Sequence, residues 1–155
     1  MTAPMDHRAR RPAEHERLIH ELRDDAGFGA YRDILIFAAA LGFRNDRRKP
    51  VTKPAGDPIR YEVLISGSGY SEALINMIAV NVSDDPEIMD DARLEERIKI
   101  FEEYANGGLD CIQEQINVRH QTAALVVTDL VTEALSDSGG ATAASVEELL
   151  SSTTW

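Results

Sequence analysis

The sequence predicts a mainly α-helical domain, a compact bundle of about five helices, and three observations carry that prediction. Apolar residues recur at three- and four-residue spacing in five separate segments. A single short stretch, RYEVLIS at 60–66, alternates as a strand would. The longest unbroken apolar run, ILIFAAAL at 34–41, has eight residues, far short of the ~20 that span a bilayer. A chain of 155 residues is long enough to bury roughly 70% of its unfolded surface, so one domain with its own core is expected.

In chain order, residues 1–11 form a flexible basic arm, with Arg8, Arg10 and Arg11 clustered. The helical domain is expected over 12–135 and a flexible tail over 136–155. Pro12 suits the first turn of a helix, and Leu18, Ile19 and Leu22 continue it to about 25. A second helix from about 29 to 41 is apolar nearly all round, which makes it the central buried helix, with Gly42 as its left-handed terminator. Pro50, Pro54, Gly56 and Pro58 argue for an irregular loop over 43–60. RYEVLIS is then a short strand or hairpin, or the opening of another helix, and the extended reading is preferred.

Leu74, Ile75, Ile78 and Val82 form one stripe of a third helix. The acidic SDDPE that follows supplies caps. A fourth helix runs from about 90 to 105 on Leu94, Ile98, Phe101 and Ala105. Asn106, Gly107 and Gly108 are read as a sharp corner, since Asn and Gly take positive φ without strain. A fifth helix of about seven turns starts near Leu109, and its length suggests packing against a second copy in a homodimer. In the tail, Ser145 and Glu148 make a capping box ahead of a short helical turn that ends at Trp155.

Charge divides the chain. Residues 1–60 hold 12 Lys/Arg against 9 Asp/Glu, and residues 61–155 hold 4 against 18, for a net charge of −11. An acidic protein is repelled by DNA at long range, although a local basic patch can still contact phosphate. The N-terminus lacks the apolar core of a secretory signal, and the single cysteine, Cys111, rules out an intrachain disulfide and reads as a buried thiol. A cytoplasmic location without membrane contact is expected.

The chemistry-bearing patterns fall short of known sites. HERLIH at 15–20 misses the zinc pattern by one residue, which puts His15 and His20 roughly 140° apart on a helix. GSG at 67–69 lacks the further glycine or Gly-Lys-Ser/Thr of a phosphate loop. Ser66, Ser68 and Ser71 have no adjacent His–Asp pair, and Asp84, Asp85, Asp90 and Asp91 do not follow calcium-loop spacing. No catalytic residue, metal or cofactor is expected. The basic loop stands out: Arg44, Arg47, Arg48, Lys49 and Lys53, joined by Arg60. Its charge needs an offset, which is the acidic half of the same molecule, an acidic partner or nucleic-acid phosphate. A second candidate surface is Glu103, Tyr104 and Asn106, beside the expected corner.

Two of these strings carry a resemblance. IFAAALGFRNDRRKP followed by IFEEYANGGLDCI, with IRYEVLIS and LINMIAVNVSDD between them, resembles the Dnd system-associated protein 4 family, encoded beside DNA phosphorothioation genes. The similarity covers roughly 14–117. The resemblance implies bacterial antiviral defence by sulphur modification of DNA, or the restriction linked to it, and no established reaction. The expected function is a non-catalytic accessory protein that meets larger proteins of the same system, or duplex DNA, through the basic loop. The alternatives are a sequence-tolerant DNA-binding protein acting alone and a metal-dependent nuclease using the 84–91 carboxylates.

Overall fold

The computed structural model describes the backbone over residues 7–152 and the side chains over 7–137. It is mainly α-helical, as expected, with one two-stranded antiparallel sheet. The elements are β1 (Arg8–Pro12), α1 (Glu16–Asp25), α2 (Tyr31–Arg44), β2 (Pro54–Arg60), α3 (Tyr61–Leu64), α4 (Ser71–Ser83), α5 (Leu94–Arg119) and α6 (Ala123–Ser152). Short 3-10 turns at Ala13–His15, Pro86–Met89 and Asp91–Arg93 join them. Among the described residues no helix is long and apolar enough to cross a membrane.

The core is the crossing of α2 and α5. Ala38, Ala39 and Gly42 on one helix meet Tyr104, Ala105 and Gly108 on the other, all buried. Small residues at three- and four-residue spacing let two backbones approach closely. A Cβ at Gly108 would collide with the Ala38 carbonyl, and one at Gly42 with the Tyr104 carbonyl. Around this seam pack Leu18, Ile19 and Leu22 of α1, Ile75 and Ile78 of α4, Phe101 and Ile112 of α5, and Val126 of α6. Burying a side chain of the size of Phe101 stabilises the fold by roughly 1.5–3 kcal/mol.

Several expectations change here. Asn106-Gly107-Gly108 is no corner: α5 is continuous through it. Its glycines serve close approach rather than a positive φ. Gly42 likewise lies inside α2, and Asp46 (φ 52°) takes the left-handed position instead. Arg47 N donates to Gly42 O at 2.8 Å and Asp46 N to Phe43 O at 3.2 Å, the two bonds of a Schellman ending. The seven-turn helix expected from Leu109 breaks at His120 (φ 54°), and Thr122 Oγ1 then accepts from Leu125 N to cap α6.

The basic arm and the proline-rich loop also differ from expectation, because they pair with each other. Arg8 faces Arg60, Ala9 faces Ile59 and Pro12 faces Pro54. Prolines fit because each strand of a two-stranded sheet has an unpaired edge, where a missing N–H costs nothing. Ala9 is fully buried and ties the strand to the core. The extended piece expected at 60–66 starts one residue later as the helical turn α3, with the strand on its N-terminal side. The backbone is helical from Ala123 to Ser152, so Ser145 starts no helix; Trp155 and the side chains beyond 137 lie outside the described residues.

Candidate functional site

The basic loop is laid along α5. The Schellman ending of α2 turns the chain so that the Arg47 carbonyl passes over Gly107, where a Cβ would collide with it. Lys49 N then donates to the Glu103 carbonyl at 2.9 Å. The loop is thereby fixed at its backbone before any charge is counted.

Its cations point at carboxylates of the same molecule. Arg47 Nη1 donates to Glu114 Oε2 at 3.0 Å and Arg48 Nη2 to Glu103 Oε1 at 3.2 Å. Arg44 Nη2 reaches Asp137 Oδ2 at 3.4 Å. Lys49 Nζ lies 2.9 Å from Glu14 Oε2 and 3.2 Å from Asp110 Oδ2. The hydrogen bond from Lys49 holds the Glu14 carboxyl below its usual range, and the same bond raises the Lys49 ammonium. The bond to Glu114 does the same for Arg47. Carboxylates of the same molecule thus engage Arg44, Arg47, Arg48 and Lys49. Lys53 and Arg60 are exposed and, among the described residues, neither forms an ion pair.

The second sequence candidate faces inward. Glu103 is 7% exposed and Asn106 is fully buried, and Tyr104 stacks edge-on against Phe43. Asn106 Nδ2 donates to Glu14 Oε1 and to Pro50 O, both at 3.2 Å, so it fastens the loop rather than displaying a surface. All three residues are at most 7% exposed.

Sequence reasoning missed one group in this network. His15 Nε2 lies 2.6 Å from Asp110 Oδ1, and Glu14, His15 and Asp110 have ligand atoms within 4.8 Å of one another. The zinc-like reading compared His15 with His20; the true neighbour of His15 is 95 residues away. The ammonium of Lys49 hydrogen-bonds both carboxylates. The acidic run at 84–91 is likewise engaged. Asp85 Oδ1 accepts from Glu87 N, Asp90 Oδ1 accepts from Ala92 N, and Arg93 bridges Asp85 and Glu96. Cys111 is only partly buried, and burial pushes its thiol up.

On the far side of α5 the hairpin makes its own anchor. Arg10 N donates to Glu102 Oε2 at 2.6 Å while the Arg10 guanidinium grips both oxygens of that carboxylate. Beside this pair opens a cleft of about 580 Å³, lined by His7, Arg8, Arg10, Pro58, Glu95, Ile98, Lys99 and Glu102. A family model described as DNA sulphur modification system-associated protein 4 matches residues 8–148, from β1 into α6. No curated protein and no solved structure matches the chain.

Proposed function

Given that the chain belongs to the DNA sulphur modification system-associated protein 4 family, we propose that it is a non-catalytic accessory protein of such a system. It docks on a larger protein of that system through the face where the 44–49 loop lies on α5. The carrying observation is the prearranged charge of that face. Arg44 and Arg47 are half-exposed and paired with Asp137 and Glu114, which are more exposed still. Alternating charges in fixed positions suit a protein surface of complementary pattern better than a run of phosphates. The non-catalytic reading is supported by His15, which is 6% exposed and lines neither the hairpin cleft nor the smaller cleft beside Glu14.

We read the protein as serving antiviral defence in the cytoplasm, beside that larger partner. A homodimer draws its support from apolar side chains left exposed on α6, Leu125, Val131 and Leu135, and no longer from one very long helix. The deciding experiment is affinity capture from cells that carry the neighbouring genes. One larger protein of the system should be recovered with the wild type. Charge reversal at Arg44→Glu and Arg47→Glu should lower that recovery at least tenfold while the circular dichroism spectrum is unchanged. Equal recovery by the reversed variant would remove this face from the account, and recovery of nothing would remove the docking role.

A further inference from the structure

We infer that Glu14, His15 and Asp110 bind one zinc ion, which clasps the turn after β1 to the middle of α5. One ligand atom from each residue lies within 4.8 Å of the other two. Around a zinc ion with bonds of about 2.0–2.2 Å, tetrahedral ligand atoms stand roughly 3.4 Å apart. His15 Nε2 and Asp110 Oδ1, at 2.6 Å, already lie inside that spacing. The remaining distance belongs to Glu14, whose side chain is 45% exposed and can shift. One imidazole and two carboxylates form a mixed nitrogen and oxygen set that suits zinc, and a water completes it. His15 is buried while Glu14 is exposed, so the ion has a path in from solvent on the Glu14 side.

The fully buried Asn106 supports the site in two ways. Its Nδ2 donates to Glu14 Oε1 and to Pro50 O, so one oxygen of the carboxylate is held while the other stays available. Metal-binding carboxylates are oriented by hydrogen bonds of this kind. The Oδ1 of the same amide is buried, and among the described residues no donor reaches it. A buried acceptor without a donor is costly, and a water carried on the metal supplies one.

Zinc competes with Lys49 for the two carboxylates. The lysine yields, because its ammonium is 40% exposed and such ion pairs are weak. Two carboxylates neutralise a dication, and the imidazole adds a coordinate bond. The hydrogen on His15 Nε2 moves to Nδ1 or to water as that bond forms. Lys49 then turns to solvent. The site stands on this geometry and does not rest on the docking reading.

The test is calorimetric titration of the full chain, stripped of metal with a chelator and dialysed, with zinc chloride and separately with magnesium chloride. One zinc per chain is expected, bound at least tenfold more tightly than magnesium and accompanied by a rise in Tm. His15→Gln should weaken zinc binding at least tenfold with an unchanged circular dichroism spectrum. Asp110→Asn carries the same expectation should His15→Gln fail to fold. Lys49→Met, which removes the competing cation, should tighten binding at least threefold. Cys111→Ser and His20→Gln should bind as the wild type does.

No uptake by the wild type overturns the proposal, and so does full affinity in the folded His15 or Asp110 variant. Loss of binding in Cys111→Ser or His20→Gln puts the ion elsewhere and overturns it too. Unchanged affinity in Lys49→Met overturns the placement between these carboxylates. Arg44 and Arg47 take no part, so capture of the larger partner by their variants tests the docking role separately.

Discussion

Helix α5 meets the rest of the molecule in two different ways. Toward α2 and the start of the basic loop it offers Gly107 and Gly108, and there backbone touches backbone. Toward the hairpin and the end of the loop it offers Glu102, Glu103 and Asp110, and there long side chains meet in direct ion pairs whose cationic partners are partly exposed. The contact at Gly108 has no freedom, since the Ala38 carbonyl is fixed in a helix and cannot step aside. The second adapts, because Arg10, Arg48 and Lys49 are each about 40% exposed and can change rotamer. The glycine seam therefore sets where α5 lies, and the charged faces set what lies against it.

Substitutions can test that division. The largest effect is expected at Gly108→Ala. Alanine raises helix propensity by ~1 kcal/mol, yet its Cβ would meet backbone atoms of Ala38. The clash should win, with a net loss of about 1–3 kcal/mol in urea unfolding. Gly69→Ala, where a Cβ meets nothing within 4 Å, should stay within ~0.5 kcal/mol. Similar losses at the two glycines would mean the seam is not the rigid contact described.

A smaller effect is expected from Glu102→Gln, which keeps the shape and removes the charge that holds β1. The side chain is 4% exposed but its arginine partner is 42% exposed, so a loss of about 1–2 kcal/mol follows. The loss should appear with faster amide exchange at Arg10, whose N–H is held by that carboxylate. Protection of Arg10 equal to that in the wild type would sever the link between charge and strand.

The smallest effect concerns Lys49→Met, and it carries a pH signature. Glu14 is held below its ordinary range by the Lys49 hydrogen bond, so its contribution exists above the unfolded carboxyl pKa and is lost as pH falls through the lowered one. Lys49 is raised by its bond to Glu14, so its contribution exists below the unfolded ammonium pKa and is lost as pH rises through the raised one. The wild type's advantage over Lys49→Met should be widest between about pH 5 and pH 10 and shrink on both sides. With both side chains exposed by 40% or more, it should not exceed ~0.5 kcal/mol. A difference that is constant across the range would show that Lys49 acts by packing alone.

The helices α1, α2 and α4 were legible in the sequence because their apolar stripes are local. The basic loop was legible as a concentration of charge, and the acidic half of the molecule was among its possible offsets. The hairpin was not legible. Its strands are short, proline-bearing and separated by α1 and α2, so no turn signal joins RARRP to PAGDPIR. The Asn-Gly-Gly stretch was misread because glycine has two uses, positive φ and the absence of a Cβ. Local sequence does not say which applies until the partner helix is known. Glu103, Tyr104 and Asn106 looked like surface because they flanked that expected corner; with the helix unbroken they turn inward. The break at His120 had a signal in Thr122, a good cap ahead of an apolar run, which the continuing periodicity concealed.

The Arg10–Glu102 clasp also makes the molecule a check on its own completion. The two residues are 92 positions apart, so at ordinary synthesis rates β1 waits roughly 5–18 s before its anchor exists. Until then Arg10 has no α5 carboxylate to rest against. A chain stopped short of residue 102 stays basic and unclasped at its front, whereas a finished chain folds that end away against its acidic helix. Completion itself changes the charge that the N-terminal end shows to its surroundings.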